Sequence, residues 1–224
     1  TLPYRMDTMK TRRITMQVQL REYHKSDFNE LEGIIRQTWH YDEFASPKIA
    51  TKLARVFLTS CLTNYTFSRV AVMNGKVVGI ILANNIAKHK CPFSNRFAQF
   101  KAILSLLLSK EGRNVSKIFG NVHGIDQQLL DENNKKYPAE LALFAVSSEC
   151  RGKGIGKMLF QSALEYMKQE KLDSFYLFTD TSCNYGFYEH QGMERCVEKE
   201  HIFNIKGQRA NMKFFIYEYL LSVA

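Results

Sequence analysis

The beginning of the chain has the apolar pattern of a strand followed by two helices. Apolar and polar residues alternate over residues 14–21, which predicts a half-buried strand. Asp27 and Glu30 have the spacing of a capping box, so a helix is expected to begin there. Ser46-Pro47 supplies an N-cap and a first-turn proline for the next helix. The two predicted helices cover about residues 27–39 and 46–62.

A β-hairpin is predicted in the following segment. Residues 65–73 and 76–84 are both strand-like, and the second run is rich in Val and Ile. Between them stands Asn74-Gly75, a dipeptide that favours the type I′ turn of a two-residue hairpin loop. We therefore expect two neighbouring antiparallel strands here.

Residues 88–137 are less regular, and we interpret them as a helical insertion. Apolar residues at helical spacing predict an amphipathic helix that ends near Glu111-Gly112. A second helix is expected over about residues 116–130. The stretch is too short to bury much by itself, so a separate domain is not expected. The apolar positions of the first helix are Phe97, Phe100, Ile103, Leu104 and Leu107.

The pattern is clearer from residue 138 onwards. Residues 140–146 read as an apolar strand in a buried central position, and a glycine-rich turn follows. The remaining predicted elements are a helix over about 154–170, a strand over 172–179, a short helix over about 184–190, and strands over 193–205 and 208–220 that flank a turn at Lys206-Gly207. The predicted order is β-α-α-β-β-(helical insertion)-β-α-β-α-β-β.

Composition narrows the class of protein without selecting a function. The net charge of +9 favours an anionic partner, which is nucleic acid, a membrane surface or a phosphate-rich cofactor. The five cysteines show no CxxC pair, so neither a metal site nor a disulfide framework is expected. No signal-peptide pattern opens the chain, and the longest apolar run is far shorter than the ~20 residues of a membrane span. These features predict a cytoplasmic protein with reduced thiols and no membrane partner.

A glycine-rich turn over residues 151–157 carries the main chemical signal. It reads Arg151-Gly152-Lys153-Gly154-Ile155-Gly156-Lys157 and joins the buried strand to a helix. Glycines allow a ligand close to the backbone and group several N–H donors in a concave nest. The helix N-terminus adds positive potential, and three basic side chains add formal charge. Such a turn is suited to bind a pyrophosphate.

Two common phosphate loops do not fit this turn. A Walker A loop requires a Ser or Thr after Gly-Lys, but Met158 follows Lys157, and Arg151 stands where the first glycine is needed. The dinucleotide fingerprint GxGxxG requires a final glycine where this chain has Lys157 or Leu159. The pattern that remains is R-G-x-G-x-G. A β–α connection that simply needs glycines is the structural alternative.

That hexapeptide resembles the coenzyme A pyrophosphate loop of the GNAT acyltransferase superfamily. One helix and one strand further on, Asn184, Phe187-Tyr188 and Gly192 resemble a second segment of the same superfamily, although Met193 replaces its usual aromatic residue. The resemblance implies the GNAT fold, an α/β (α+β) architecture with a mixed central sheet of about seven strands flanked by helices. It also implies a single acetyltransferase domain over residues 1–224, with the coenzyme A motifs in residues 138–193.

The resemblance further implies how the co-substrate, acetyl-CoA, is bound. The backbone of the strand before the turn would pair with the pantetheine arm like an added strand, and one of its amides would stabilise the developing oxyanion. For Asn184, an ordinary helix N-cap is the alternative to a pantetheine contact. The implied cofactor-binding residues are Phe144, Ala145, Val146, Arg151, Gly152, Lys153, Gly154, Ile155, Gly156, Lys157 and Asn184.

Two residues are the candidate catalytic groups. The resemblance implies that Glu140 deprotonates the amine through water, and the alternative is that it caps the strand or pairs with a lysine. Tyr188 is the candidate general acid for the leaving thiolate, and the alternative is a core aromatic residue. Cys183 has no adjacent base in the sequence, so a covalent route through it is disfavoured. The region of Trp39 is expected to border the acceptor pocket.

The predicted function is an N-acetyltransferase that moves an acetyl group from acetyl-CoA to a primary amine by direct attack. The acceptor, a small molecule or a peptide, is not identified, and the basic charge favours an acidic one. The alternative is a catalytically inactive, coenzyme A-binding regulatory or interaction module. Nucleic acid is not an expected partner, because no zinc-finger spacing or aromatic RNA-binding strand occurs. A homodimer through the last two strands is left open.

Overall fold

The computed structural model describes residues 17–205 and 208–221. Positions 14–16 of the first predicted strand and the turn at Lys206-Gly207 lie outside these residues. The strands are β1 (Val18–Arg21), β2 (Phe67–Met73), β3 (Lys76–Asn85), β4 (Ala139–Val146), β5 (Ser174–Asp180), β6 (Glu194–Ile205) and β7 (Gln208–Leu220). The helices are α1 (Phe28–Thr38), α2 (Pro47–Cys61), α3 (Phe93–Leu107), α4 (Lys110–Asn133), α5 (Ile155–Gln169) and α6 (Gly186–His190).

The strands form one mixed sheet of seven strands in the order β1-β2-β3-β4-β5-β7-β6. Every neighbouring pair is antiparallel except β4 and β5, which run parallel. The register between β4 and β5 contains a single residue pair, Glu140 with Tyr176. Beyond that pair the two strands separate and leave a wedge in the middle of the sheet. The predicted fold class and order of elements are confirmed.

Helices cover both faces of the sheet. On one face α5 buries Leu159 and Phe160 against β2, β3, β5 and β7. On the other face α1 and α2 bury Ile35 and Leu53 against β3 and β4. On that same face α4 packs on β6 and β7 through Leu129 and its neighbours. The wedge between β4 and β5 is therefore enclosed by helices on both sides.

The β2–β3 hairpin confirms the prediction made from Asn74-Gly75. Both turn residues have positive φ, 52° and 76°, as a type I′ turn requires. Further along β3, a Cβ atom at Gly79 would lie 2.9 Å from the carbonyl oxygen of Ala145. A glycine is needed there because the backbones of β3 and β4 approach closely.

The capping box predicted for α1 is wrong. The carboxylate of Asp27 makes no cap bond to α1. Instead it accepts two hydrogen bonds of 2.7 Å from Arg21 and one of 2.8 Å from the amide of His24. Glu30 turns away to accept the amide of Val77 at 2.7 Å. A guanidinium within reach offers two charge-assisted bonds, which are stronger than a single cap bond.

The insertion is helical, as predicted, but its internal boundary differs. The predicted helix end at Glu111-Gly112 is wrong, because both residues lie in the first turn of α4. Ser109 caps that helix by accepting the amide of Gly112 at 3.0 Å. In the described part of the chain, no helix is both long and apolar enough to cross a membrane.

Candidate active site

A cleft of about 550 Å³ lies where β4 and β5 separate. Residues 140–146 of β4 form one wall, and the glycine turn closes one end. The end of β5, the segment after it and α6 form the opposite wall. Residues of α4 and of the connection after α1 also line the cleft. The two strands thus hold the cleft open at the centre of the sheet.

Beyond Glu140, the edge of β4 that faces the cleft is not paired with β5. Ser147 donates its amide to Val78 on the β3 side, at 2.8 Å. Successive amides of a strand point to opposite edges, so those of Phe144 and Val146 point towards the cleft. An extended ligand can pair with such an edge as an added strand does.

The glycine turn is built to leave its backbone accessible. Gly152 and Gly154 have φ of +74° and +78°, a conformation that strains other residues. No other atom lies within 4 Å of where their Cβ atoms would be. Gly154 is also the N-cap of α5, so the first amides of that helix have no partner within it. These donors and the helix dipole form an anion site at the end of the cleft.

Most of the predicted cofactor-binding residues are brought together here. Two of the predicted residues, Lys153 and Ile155, do not line the cleft. Lys153 is exposed, and the side chain of Ile155 is buried in the core beneath α5. The residues that line the cleft are Phe144, Ala145, Val146, Arg151, Gly152, Gly154, Gly156, Lys157 and Asn184.

Glu140 lies half-buried in the cleft, at the point where β4 and β5 still pair. Its Oε2 accepts a hydrogen bond of 2.8 Å from Asn64, whose own oxygen accepts one of 2.6 Å from Asn84. Burial raises the pKa of Glu140, while its hydrogen bonds to Asn64 and Tyr176 oppose the rise. Within the described residues, Glu140 has no salt bridge to a lysine.

Tyr188 belongs both to the core and to the cleft wall. Its ring centroid lies 5.7 Å from that of Phe187 and 6.3 Å from that of Phe144. Burial, followed by the nearby Cys183 and Asp180, raises its pKa well above the usual tyrosine value. The phenol therefore stays protonated at neutral pH and can donate a hydrogen bond.

The segment before α6 contains Asn184 and Cys183, for which the sequence left alternative roles. The N-cap of α6 is Tyr185, so the interpretation of Asn184 as that N-cap is wrong. Asn184 lines the cleft instead. Burial and the nearby Asp180 raise the pKa of Cys183 to about 11, so its thiol is almost entirely protonated at neutral pH. This is the opposite of what a nucleophilic cysteine needs.

Two carboxylates that the sequence reading missed also line the cleft, Asp126 on α4 and Asp180 at the end of β5. Burial raises the pKa of Asp126 to about 7, and the charges of Asp180 and Glu140 add to the rise. The sequence contains one indication of the position of Asp126. It lies beside Ile125 and Leu129, two apolar residues at helical spacing that are buried in the structure. Nothing in that period, however, indicates which strands the helix covers.

The connection after α1 supplies the third part of the wall. Trp39 and His40 line the cleft together with Phe57 of α2, and the rings of Trp39 and Phe57 are 4.7 Å apart. Tyr41, the next residue, is buried and does not line the cleft. Among the residues described, no group of three or more His, Cys, Asp or Glu side chains could hold a metal ion.

The cleft is electrostatically divided. Arg151, Lys157 and the N-terminus of α5 make one end positive. The carboxyl groups of Asp126, Glu140 and Asp180 make the remaining walls acidic. A ligand with a negative end and a partner with a positive group would each find a complementary region.

Comparisons with known proteins agree with this geometry. Three solved structures share the fold with low sequence identity. The ribosomal-protein-S18-alanine N-acetyltransferase from Escherichia coli is 11% identical, with a TM-score of 0.52, covering 93% of this chain and 96% of its own. The ribosomal-protein-alanine N-acetyltransferase from Brucella melitensis is 15% identical, with a TM-score of 0.52 and coverages of 91% and 99%. An N-acetyltransferase from Staphylococcus aureus Mu50 is 13% identical, with a TM-score of 0.52 and coverages of 91% and 98%.

Sequence comparison gives the family directly. A search of curated protein sequences finds no match. The profile of the acetyltransferase (GNAT) family, however, matches residues 28–193, which is well over half of the chain. That span runs from the start of α1 to the residue before β6, and it contains both walls of the cleft and the glycine turn. The chain therefore belongs to the acetyltransferase (GNAT) family.

Proposed function

We propose that this protein transfers an acetyl group from acetyl-CoA to a primary amine by direct attack in the cleft between β4 and β5. The family uses acetyl-CoA, which supplies the acetyl thioester. The observation that carries the proposal is the position of Glu140 and Tyr188. Both line the same cleft as the anion site at the start of α5.

The residues at the positive end fit the coenzyme. The space beside Gly152 and Gly154 is open, so a pyrophosphate can reach the amides at the start of α5. Arg151 and Lys157 line the same end and balance the phosphate charge. The open edge of β4 next to this site lets the pantetheine arm pair with the amides of Phe144 and Val146. The thioester then lies towards Glu140 and Tyr188.

Glu140 is the proposed base. A free alkylammonium has a pKa near ~10.4, so an incoming amine arrives mostly protonated and must lose a proton. The raised pKa of the Glu140 carboxylate makes it a better proton acceptor than an exposed glutamate. The amine nitrogen bonds to the thioester carbonyl carbon, the C–S bond breaks, and Glu140 takes the amine proton directly or through water. Asn64 holds the carboxylate in place for this step.

Tyr188 is the proposed hydrogen-bond donor to the leaving sulfur. A free thiol has a pKa near ~8.5, below that of a tyrosine, and burial raises the pKa of Tyr188 further. Complete transfer of the phenolic proton to the thiolate is therefore uphill. Tyr188 stabilises the developing negative charge by donating a hydrogen bond, and the departing thiolate takes its proton from water. Overall, an acceptor that arrives as an ammonium loses two protons: one balances the proton gained by the coenzyme thiol, and the other is released to solvent.

The acidic walls of the cleft favour one class of acceptor. Asp126 and Asp180 face the cleft beside Glu140, so an amine that carries further positive charge is favoured there. We infer a cationic acceptor, such as a polyamine or a lysine-rich peptide. The net positive charge of the chain had favoured an acidic acceptor, but the basic residues at the cleft are at the coenzyme end.

The direct test combines binding with turnover. Acetyl-CoA would be titrated into the protein by calorimetry, with coenzyme A and adenosine as comparisons. Amine-dependent release of coenzyme thiol would then be measured for a cationic, a neutral and an acidic acceptor series. We expect micromolar binding that requires the pyrophosphate, and turnover that is fastest with cationic amines. Binding without turnover in any series would instead support an inactive coenzyme A-binding module.

A further inference from the structure

The outer face of α3 is apolar and exposed to solvent. Most of the exposed large apolar side chains in the described residues lie in or next to this helix. Phe93 is 82% exposed, Phe100 is 61% exposed and Leu108 is 75% exposed. We define the α3 outer face by these residues and those between them on the same side: Phe93, Phe97, Phe100, Leu104, Leu107 and Leu108.

The orientation of α3 is fixed by its opposite side. Asn95 donates a hydrogen bond of 2.8 Å to the carbonyl oxygen of Leu62, and Gln99 donates one of 3.1 Å to Ser60. Ala102 and Leu106 continue this inner side and are buried. The four residues follow the i, i+4, i+7, i+11 spacing of one helix face. The α3 outer face, which has the same spacing, lies on the other side of the helix.

Scattered exposed apolar residues are normal, but a continuous stripe is not. The rings of Phe93 and Phe97 stack with their centroids 6.3 Å apart, although both are exposed. None of the α3 residues lines the cleft. The stripe is therefore separate from the proposed acetyl-transfer site and needs another explanation.

The charged side chains of the segment that contains the stripe are all basic. Residues 86–110 contain five Lys or Arg side chains and no Asp or Glu: Lys88, Lys90, Arg96, Lys101 and Lys110. Arg96 and Lys101 lie on the two flanks of the stripe, and Lys101 sits over the ring of Phe97 at 5.2 Å. Lys88 is balanced by Glu170, at 2.7 Å. The other four cations make no salt bridge within the described residues.

We propose that the α3 outer face binds an anionic lipid surface. Helices with aromatic and leucine side chains on one side and basic residues along the flanks lie in the membrane interface. The apolar side chains would enter the boundary between headgroups and acyl chains, and the flanking cations would contact anionic headgroups. This differs from the expectation, drawn from sequence, of no membrane partner.

The charge pattern argues against two other occupants. Two copies of the chain that met through this face would bring two basic segments together, and residues 86–110 contain no acidic side chain to offset that repulsion. Nucleic acid would match the cations, but it presents phosphates rather than an apolar layer to a row of phenylalanines and leucines. An anionic bilayer offers both the charge and the apolar layer.

Vesicle co-sedimentation tests the proposal with the intact chain. We expect binding to vesicles of phosphatidylcholine with roughly a third phosphatidylserine, and little binding to phosphatidylcholine alone. Replacing two exposed rings with F97S/F100S should weaken binding about tenfold or more, because buried aromatic area is lost. R96E/K101E should weaken it as well and reduce its dependence on salt. I202S removes an equally exposed apolar side chain from β6 and should leave binding unchanged.

Three results would overturn the proposal. The first is absence of wild-type binding to the anionic vesicles. The second is unchanged binding by F97S/F100S and by F93S/L108S, a second pair on the same face. The third is a wild-type dimer in sedimentation equilibrium that F97S/F100S converts to a monomer, since a second copy would then cover the face. Acetyl-transfer activity without vesicles is a separate readout and should be the same in all these variants.

Discussion

The segment from β4 to α6 and the insertion helix α4 both line the cleft, but they contribute different things. The first is continuous in sequence and supplies the open strand edge, the anion site, Glu140 and Tyr188. The second is distant in sequence and supplies Val122 and Asp126. The proposed chemistry of acetyl transfer is therefore concentrated in one local unit. The proposed discrimination between acceptors depends on a helix that reaches the cleft through tertiary packing.

This comparison has a direct experimental consequence. Changes between β4 and α6 should affect every acceptor alike, because they alter coenzyme binding or the chemical step. Changes in α4 should alter the ratio between acceptors and leave coenzyme binding intact. The following variants test that division, from the largest expected effect to the smallest.

Gly154→Glu should have the largest effect. The side chain would strain a residue with φ of +78° and place a negative charge in the anion site. We expect acetyl-CoA affinity, measured by calorimetry, to fall by at least roughly a hundredfold, since a charge at a phosphate site costs several kcal/mol. Gly75→Glu is the matched control, because Gly75 also has positive φ and open space but lies in the hairpin turn. Equal losses in both variants would point to general strain.

Glu140→Gln should lower turnover by about a hundredfold, the usual range for loss of a general base. Acetyl-CoA affinity should change little, because the amide keeps the shape of the carboxylate. In the wild type, kcat/KM should fall as pH decreases through the raised pKa of Glu140, since protonation removes the base. That acidic limb should be absent in the variant. A fully active variant with the wild-type profile would remove Glu140 from this role.

Tyr188→Phe should lower kcat by roughly tenfold, because one hydrogen bond to the leaving sulfur is lost. The effect should grow as the leaving thiol becomes a poorer leaving group. It can be measured with acetyl thioesters whose leaving thiols differ in pKa. Tyr219→Phe is a suitable control, since Tyr219 packs against Phe160 and Phe175 but does not line the cleft. A Tyr188→Phe enzyme that only loses stability would show that this residue is a core aromatic residue.

Asp126→Asn should have the smallest effect on the chemical step. Its effect should also be the most selective between cationic and neutral acceptors. KM for cationic amines should rise several-fold while KM for neutral amines and acetyl-CoA affinity stay the same, as expected for loss of one partly screened ion pair. Equal changes for cationic and neutral amines would contradict the division between α4 and the β4–α6 segment.

The same variant has a pH-dependent effect on stability. The pKa of Asp126 is about 7 in the folded chain, against 3.8 for an unperturbed aspartate. Between those values the folded state binds more protons than the unfolded state, so the wild type loses stability as pH rises through this window. Asn cannot ionise. Thermal unfolding should therefore show a gain in Tm for Asp126→Asn that is larger at pH above 7 than near the unperturbed value.

The predictions from sequence that were confirmed rest on local rules. The hairpin follows from Asn74-Gly75, whose turn type is decided by two adjacent φ angles. The mixed sheet and the order of elements follow from runs of one period between clear turns. Asn184 and most of the glycine turn lie at one cleft because one strand, one helix and one short segment carry the motif, and their binding of coenzyme A stays a prediction.

The features that sequence reasoning missed depend on side-chain and tertiary contacts that no local pattern indicates. Arg21 takes Asp27 away from its expected cap bond, and the Ser46 amide and hydroxyl bind Glu111, 65 positions later. Asp126 meets the cleft only because α4 crosses β6 and β7. For α3, the spacing of the apolar residues identifies an apolar face, but it does not tell whether that face points to the core or to solvent. The helix is held by the polar Asn95 and Gln99, so its apolar side points outwards.

The single residue pair between β4 and β5 has a mechanical consequence. The sheet consists of two blocks, β1 to β4 and β5 to β7, with almost no lateral backbone bonding between them. The buried cluster beneath α5 contains Phe67 from one block and Phe175 from the other. The packing of α5 therefore holds the two blocks together. A coenzyme arm lying in the wedge would bridge the blocks as well. Amide hydrogen exchange at the ends of β4 and β5 should then slow when acetyl-CoA is bound.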